Sequence, residues 1–332
     1  MFKSRLPIIV AVVMLLSLLP AQVAYADTEG GVSGSFQTGN VAPTVGTIIA
    51  PASMTPQAEW TTITVPVTDS NTLADVNEVK VKLFHDTVSG DPDESGYTAD
   101  GVNCAVLTWT RSGSLWAIGQ GTCTTWDIDE AGCEAGTDAE TTDNWVFSFK
   151  VGKVATESPG TTDDDWDIYV KATDAAPESG YAYLRDKEMN WYGGISTPNP
   201  ATAEWGTVTP GLDFAEDTQE KGPISIIYIA NGDYDQKVKT TNTWTGDPSG
   251  TATLDPSGNC INANQFALKA DDAITITNAV LVDTSGISID NSGTQTGETG
   301  DTEANNTLWL KLASVFSHAT YSGTITFTIE NR

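Results

Sequence analysis

The sequence predicts an all-β protein with two antiparallel β-sandwich domains behind a cleaved signal peptide. Short runs of alternating apolar and polar residues, typical of half-buried strands, recur along the chain and are separated by Gly-, Asn- and Asp-rich turns. In the clearest run, Ile325, Phe327 and Ile329 alternate with threonines. Beyond residue 26, no stretch keeps an apolar period of 3.6 for three turns, which excludes long amphipathic helices.

Residues 1–26 have the layout of a secretory signal peptide. Lys3 and Arg5 precede an apolar run over residues 8–19, and small residues around Ala26 favour cleavage there. The apolar run is short for a membrane span, and no stop-transfer segment or lipid-anchor cysteine follows it. We therefore expect a secreted, extracellular protein that associates with the cell surface and does not insert into the membrane after cleavage.

The expected mature chain divides into four parts. Residues 27–47 are rich in Gly, Thr and Ser and predict a flexible leader or an edge strand, and residues 48–178 predict the first sandwich. Residues 179–203 predict a linker or a closing strand, and residues 204–332 predict the second sandwich.

The first sandwich is predicted from six short strands. Pro66 lies inside the first of them and cannot donate a ladder hydrogen bond, so its side of the strand is expected to be an edge. Residues 111–114 predict a turn that sets Trp109 opposite Trp116 as a cross-strand pair. The predicted strands cover residues 60–68, 78–84, 104–110, 115–123, 144–151 and 166–173, of which 104–110 and 115–123 form one hairpin.

The second sandwich shows the same pattern of short alternating runs. No convincing internal repeat relates the two halves. Its predicted strands cover residues 205–208, 224–230, 236–244, 265–269, 274–282, 307–312 and 321–330.

The chain is strongly acidic, with 44 Asp and Glu against 16 Lys and Arg and a formal net charge of −28 at pH 7. Such a charge argues against binding to nucleic acid or to anionic lipid, both of which require basic patches. It favours cations and basic partners, although a solubility coat explains the same composition.

Three of the four cysteines, Cys104, Cys123 and Cys133, fall within one short region. Because an exported chain can keep disulfides, we expect a local bridge among these three, with its partners left open. Cys260 is remote and is predicted to be a buried free thiol, an inter-domain bridge or an intermolecular link. The spacings match no zinc site.

An acidic loop after the first strand carries the best candidate for a metal site. Asp69, Asn71 and Asp75 alternate there with other residues, and Asp174 ends another strand that could reach the same end of the sandwich. Such oxygen ligands suit a hard cation, so the four residues predict a Ca²⁺ site. The alternative is that Asp69 and Asn71 only form Asx turns.

Tryptophans and histidines indicate little chemistry. Exposed tryptophans could stack on sugar rings, but large aromatic residues more often fill sandwich cores. Two histidines, His85 and His318, lie in separate predicted domains, which argues against a Ser-His-Asp or Cys-His arrangement. We therefore expect no enzyme, while paired carboxylates keep a hydrolase open. The tryptophans in question are Trp109, Trp116, Trp126 and Trp145.

Several short runs resemble immunoglobulin-like domains of prokaryotic secreted cell-surface proteins. Residues 39–45 (GNVAPTV), 60–65 (WTTITV) and 69–73 (DSNTL) are similar to the opening of such a domain. Residues 205–211 (WGTVTPG) resemble a second domain start, and residues 321–327 (YSGTITF) resemble a last strand. The resemblance implies tandem immunoglobulin-like sandwiches at the cell surface and carries over no catalytic residue.

The function expected from these patterns is structural. Export, acidity and the all-β pattern favour a cell-envelope protein, such as a surface-layer or extracellular-filament subunit, that assembles by non-covalent contacts. The leader could add as a strand to a neighbour's open sheet edge. Expected partners are other copies, other surface proteins or glycans. The alternative is a calcium-dependent adhesin or carbohydrate-binding module, and a secreted hydrolase ranks third.

Overall fold

The computed structural model describes residues 33–86, 98–119, 123–158, 165–214, 219–289 and 293–332, with the backbone alone over 301–304. The expected signal peptide and residues 27–32 lie outside this range. Asn40–Arg332 form one compact unit, while the described residues 33–39 belong to a separate unit and have no regular secondary structure. Within the described residues, no helix is long and apolar enough to cross a membrane.

The prediction of an all-β protein is confirmed. The described helical structure is one 3₁₀ turn, Leu73–Asp75, just before the fourth strand. The strands of the first half are β1 (Thr44–Val45), β2 (Ser53–Met54), β3 (Thr61–Thr68), β4 (Val76–His85), β5 (Cys104–Thr110), β6 (Leu115–Ile118), β7 (Asp127–Ile128), β8 (Thr142–Lys150), β9 (Trp166–Asp174) and β10 (Ser179–Met189).

These strands form two sheets around one shared core. The four-stranded sheet has the order β1-β3-β8-β7, and the six-stranded sheet has the order β2-β10-β9-β4-β5-β6. Ile63 and Phe147 of the first sheet pack in the same buried cluster as Val81 and Val170 of the second. The apolar positions of each alternating run therefore face inward, as the period of two predicts.

The second half repeats the arrangement with a larger sheet. An eight-stranded sheet has β11-β12-β19-β16-β15-β14-β20 in sequence with β17 beside β16, and a three-stranded sheet has the order β18-β13-β21. The strands are β11 (Gly193–Ile195), β12 (Glu220–Ala230), β13 (Tyr234–Thr240), β14 (Thr243–Asp247), β15 (Thr251–Leu254), β16 (Gln265–Asp271), β17 (Val280–Leu281), β18 (Ile287–Ser288), β19 (Asp301–Leu312), β20 (Thr320–Ser322) and β21 (Ile325–Asn331).

The second half buries a core of its own from both sheets. Ile226 and Leu308 of the eight-stranded sheet share one buried cluster with Val238 and Phe327 of the three-stranded sheet. Two separate apolar cores therefore lie within the compact unit.

A fully buried side chain, Asn231, joins the two halves. Its amide nitrogen donates to the carbonyl oxygens of Ala155 (2.8 Å) and Asn190 (3.0 Å), and its Oδ1 accepts from the backbone amide of Tyr192 (2.6 Å). A buried amide with three satisfied hydrogen bonds fixes the three backbone segments relative to one another.

Two predicted strands of the second half each divide where the chain changes sheets. The run 236–244 becomes β13 and β14, and the run 321–330 becomes β20 and β21, with β13 and β21 in the three-stranded sheet. The sequence alternation continues through the second crossing, and the first crossing falls within the all-polar residues 239–243. At the second crossing, a Cβ on Gly323 would lie 2.0 Å from the Trp244 ring, so only glycine fits there.

Two predicted strands of the second half are wrong. Residues 205–208 form no strand, although Trp205 packs on the second core and donates to the Gln219 carbonyl oxygen at 2.9 Å. Of residues 274–282, only Val280–Leu281 is a strand, because Ile274 is 69% exposed and only the end of the run, at Val280 and Val282, packs on the core.

The first half confirms the hairpin and modifies the edge prediction. Trp109 pairs with Trp116 across β5 and β6, with ring centroids 6.4 Å apart. Strand β3, however, lies between β1 and β8. Pro66 faces the short gap beyond β1, where its carbonyl oxygen accepts from the Gly46 amide at 2.8 Å, so its missing N–H interrupts no regular ladder.

Candidate metal centre

Three of the four predicted ligands come together at one end of the first core. Asp69 directly follows β3, Asp75 ends the 3₁₀ turn before β4, and Asp174 is the last residue of β9. The backbone amide of Ala175 donates to the carbonyl oxygen of Asp75 at 2.9 Å, which ties the end of β9 to the start of β4. Three chain segments therefore meet at this point.

The three carboxylates form a close, mostly buried cluster. One oxygen from each lies within 4.8 Å of one from each of the others. Asp69 is 1% exposed and Asp174 is 2% exposed, whereas Asp75 is half-buried. Because like charges repel more strongly away from water, a positive charge between the three carboxylates would be favourable.

Hydrogen bonds satisfy all but one of the oxygens on the two buried carboxylates. Oδ1 of Asp69 accepts from the Asn71 backbone amide at 2.8 Å. Oδ1 of Asp174 accepts from the amides of Ala176 and Glu178, both at 2.9 Å, and its Oδ2 accepts from Nδ2 of Asn40 at 2.7 Å. Oδ2 of Asp69 is buried and has no hydrogen-bond partner in the described part of the chain. A buried, unpartnered carboxylate oxygen is costly unless a ligand contacts it.

The pKa of Asp69 also indicates that a neighbouring positive charge would be favourable. Burial is the largest effect that raises the pKa of its carboxyl above the usual value, and the charges of Asp75 and Asp174 raise it further. The hydrogen bond from the Asn71 amide opposes this shift. The ionised form of Asp69 is therefore disfavoured here, and a cation among the three carboxylates would offset this effect.

Arg111 contacts the loop that carries Asp75, but it does not supply this positive charge. Arg111 donates from Nε to the carbonyl oxygen of Val76 (2.7 Å) and from Nη2 to that of Leu73 (2.5 Å). Its Nη1 pairs with Asp138 at 2.7 Å. Arg111 thus fixes the backbone of the loop that carries Asp75, and its charge is directed at Asp138.

The fourth predicted ligand, Asn71, has a different role. Its Oδ1 accepts from the backbone amide of Val41 at 2.8 Å, so this oxygen fastens the N-terminal segment. The Asx turn at Asp69, which was the alternative interpretation, is formed as well, and the turn and the acidic cluster coexist. Sequence reasoning missed Asn40, because nothing local in the sequence connects it with Asp174.

The donor set suits a hard divalent cation of the calcium class. Ca²⁺ takes six to eight oxygen ligands in flexible geometry, and carboxylates are its commonest charged ligands. Asp69, Asp75 and Asp174 provide three carboxylates from three segments, and water could complete the shell at the half-buried Asp75. A smaller Mg²⁺ demands stricter octahedral geometry and retains more water.

The predicted disulfide among Cys104, Cys123 and Cys133 is not present. None of the four cysteines is in a disulfide. Sγ of Cys123 lies 3.8 Å from the carbonyl oxygen of Cys104, so its contact is with backbone. Cys133 accepts instead from the Ser148 amide at 3.2 Å, and Cys260 is buried in a separate small cluster of the second half.

The remaining candidates do not assemble into a second site. Trp109, Trp126 and Trp145 are buried, so the core interpretation of these tryptophans is correct. His85 is buried against the Trp166 ring at 5.9 Å, whereas His318 is exposed in the second half.

A polar groove lies beside the junction of the two halves. It has a volume of about 730 Å³ and is lined by residues that include Glu157, Glu188 and Asn331. Oε1 of Glu157 accepts from Nδ2 of Asn331 at 2.8 Å, and burial raises the pKa of this carboxyl. Glu157 is thus already part of the contacts between the halves.

Comparison with known proteins gives no family. No protein-family model and no curated protein matches the sequence. Among solved structures, the chain is similar to red sea bream transglutaminase with a TM-score of 0.21 and 5% identity, over 87% of this chain and 29% of that one.

Proposed function

We propose that the chain is an exported structural protein of the cell envelope, such as a surface-layer or extracellular-filament subunit, stabilised by a bound calcium ion. The proposal combines the sequence features of residues 1–26 with a β-rich architecture. Each half has two sheets around a shared core, which supports tandem immunoglobulin-like sandwiches. Such domains are scaffolds, and their tasks lie in surfaces and ends.

The observation that carries the proposal is the unpartnered Oδ2 of Asp69 inside the cluster with Asp75 and Asp174. A cation bound there would cross-link the ends of β3 and β9 to the start of β4. Cross-linking three segments strengthens a fold and performs no chemical step. This is the role that a load-carrying extracellular subunit requires.

The chemistry of the site fits an extracellular setting. Extracellular calcium modules bind their ion with dissociation constants of about 10⁻⁴–10⁻³ M. Three carboxylates with few further protein ligands suit this weak range. The strongly acidic surface, with a net charge of −28, also concentrates divalent cations near the protein.

Assembly and cation binding are tested together on the chain from residue 27 to residue 332. Isothermal calorimetry with CaCl₂ measures binding, and size-exclusion chromatography with light scattering and electron microscopy measures assembly. We expect a saturable calcium signal and higher-order species at high protein concentration. A chain that stays monomeric at high concentration, with and without Ca²⁺, would contradict the structural-subunit proposal.

A calcium-dependent adhesin or carbohydrate-binding module is the second candidate, because the same acidic cluster would serve it. Three of the tryptophans that would stack on sugars are buried, which weighs against a tryptophan-based sugar platform. A glycan array with and without Ca²⁺ separates the two candidates. Selective, calcium-dependent glycan binding by a monomer would favour the adhesin.

A further inference from the structure

The N-terminal segment, defined as residues 40–45, is attached at the acidic cluster by two polar contacts. Nδ2 of Asn40 donates to Oδ2 of Asp174 at 2.7 Å, and the amide of Val41 donates to Oδ1 of Asn71 at 2.8 Å. One acceptor, Asp174, is itself a candidate ligand, and the other, Asn71, lies between the candidate ligands Asp69 and Asp75. The start of the compact unit is therefore fastened at the proposed cation site.

The remaining attachments of the segment are few. Strand β1 pairs with β3 through Thr44 and Val45, which face Thr68 and Val67. Pro43 is buried and packs closely on Gly180. A Cβ on Gly180 would lie only 2.1 Å from the Pro43 carbonyl oxygen, so this contact requires glycine. Val45 also packs on the first core. Because a two-residue ladder is a weak anchor, the contacts at the acidic cluster add to the hold on the segment.

The contact between Asn40 and Asp174 has the wrong polarity for a metal-bound state. Without a cation, an amide N–H beside a carboxylate is favourable. A cation among the three carboxylates would repel that N–H and attract an amide oxygen. A half-turn about the Cβ–Cγ bond of Asn40 exchanges its oxygen and nitrogen positions without moving the backbone.

We propose that Asn40 is a ligand of the cation, presenting Oδ1 to an ion of the calcium class held by Asp69, Asp75 and Asp174. The inference rests on the cation site of the proposed function and adds a fourth protein ligand to it. Cation binding fastens the N-terminal segment to the edge of β3. When the cation leaves, the segment is held by the weaker amide contact, and the β3 edge is less well covered.

This coupling gives the cation control over a sheet edge. The backbone of β3 on the β1 side is covered by residues 44–46 and by the Ile49–Thr64 bridge. An uncovered edge of this kind can accept a strand from a second copy of the chain. By thermodynamic linkage, whatever stabilises the docked segment raises the affinity for the cation by the same factor.

The test is hydrogen exchange measured by mass spectrometry on peptides that cover residues 40–49, with calorimetry on the same samples. In the wild type, we expect 5 mM CaCl₂ to slow exchange of these peptides by at least tenfold, and MgCl₂ to do less. Calorimetry without any calcium binding would overturn the cation site itself. Calcium binding with unchanged exchange would overturn only the role of Asn40.

Two variants separate ligation from a simple structural hydrogen bond. Asn40→Asp cannot donate to Asp174 but provides a carboxylate ligand. Its segment should exchange faster than wild type without Ca²⁺ and at least as slowly as wild type with Ca²⁺. Asn40→Ala should bind Ca²⁺ several-fold more weakly and lose the calcium effect on exchange. If Asn40→Asp exchanges fast in both conditions, Asn40 is only a hydrogen-bond donor and the inference is wrong.

Discussion

Asp69 and Asp174 bring carboxylate oxygens within 4.8 Å of each other from the ends of two strands in different sheets. Asp174 is saturated by hydrogen bonds from Ala176, Glu178 and Asn40, whereas Oδ2 of Asp69 has no partner among the described residues. Asp69 is therefore the residue through which the electrostatic strain of the cluster can be measured.

Replacing Asp69 with asparagine should stabilise the cation-free protein and abolish its response to calcium. The Asn side chain keeps an oxygen for the Asn71 amide and places an NH₂ group at the position of the unpartnered Oδ2, within the cluster of carboxylates. Relief of one buried, unsatisfied group is worth about 1–3 kcal/mol. Thermal unfolding should show a raised midpoint without Ca²⁺ and no further rise with it.

A matched control is Asp283→Asn, which also removes a carboxylate from an Asx turn. Oδ1 of Asp283 accepts from the amides of Ser285 and Gly286, and these bonds lower the pKa of its carboxyl. This variant should be no more stable than the wild type and should keep the full calcium response. Equal behaviour of the two variants would show that the acidic cluster has no special role.

The stabilisation by calcium should decrease as the solution is acidified. The pKa of Asp69 in the folded protein lies above its unfolded value of about 3.8, because burial disfavours the charged form. The folded state therefore binds this proton more tightly, and the contribution of Asp69 to cation-free stability is lost as pH rises through the folded pKa. In the pH range around this pKa, a proton on Asp69 competes with the cation.

The measurement is the shift in unfolding midpoint produced by 10 mM CaCl₂ at pH 7, 5 and 4. With a dissociation constant of about 10⁻⁴–10⁻³ M, this concentration stabilises the protein by about 1–3 kcal/mol at pH 7. Subtracting the Asp69→Asn profile isolates this residue from Glu157 and Asp167, whose pKa values burial also raises. A shift that is constant from pH 7 to pH 4 would contradict the role of Asp69.

The sequence predicts those ligands whose positions follow from the local alternation of apolar and polar residues. Asp69, Asp75 and Asp174 follow or precede strands whose apolar alternation is clear, so their placement at strand ends can be worked out. Antiparallel pairing of β4 with β9 brings the start of β4 beside the end of β9, and the short connection from β3 to β4 brings the end of β3 to the same side of the core. Asn40 could not be predicted, since its contact with Asp174 depends on how the N-terminal segment lies across the sheets.

The fold shows the same division between local and distant information. Alternation locates β3 and the β5–β6 hairpin, because each run faces one core along its length. It cannot show that β13 and β14 belong to different sheets, since Val238 and Trp244 stay in phase across the polar residues 239–243. The change of sheet is decided by pairing with β21 and β20, which are distant in sequence.

The thiols should be unreactive in the folded protein, and none of the four should form a disulfide. Burial raises the pKa of the Cys104 thiol to about 12 and that of Cys260 to about 11, and it raises the pKa of Cys133 as well. At pH 8, a pKa of 12 leaves a thiolate fraction of about 10⁻⁴, so alkylation of Cys104 is slow.

Intact-mass analysis after iodoacetamide treatment checks this prediction. The folded protein should gain few adducts within minutes, and the protein unfolded in urea without reductant should gain four. A sample reduced before unfolding provides the reference mass. A gain of only two adducts in the unreduced sample would indicate the local bridge that the cysteine spacing predicts.

Replacing Asn231 with alanine should uncouple the two halves of the compact unit. The change removes the bonds from the Asn231 side chain to the Ala155 and Asn190 carbonyl oxygens and from the Tyr192 amide, and it leaves those backbone groups without this partner. We expect a loss of about 2–4 kcal/mol in the free energy of unfolding. Because Asn231 lies between two separate cores, a single calorimetric transition should also broaden or divide into two.

Asn259→Ala is the control. Asn259 is exposed, and among the described bonds its side-chain amide contacts only Ser257 within its own turn. That variant should stay within about 0.5 kcal/mol of the wild type. An Asn231→Ala protein that unfolds like this control would mean that the halves are held together by their other contacts, such as that between Glu157 and Asn331.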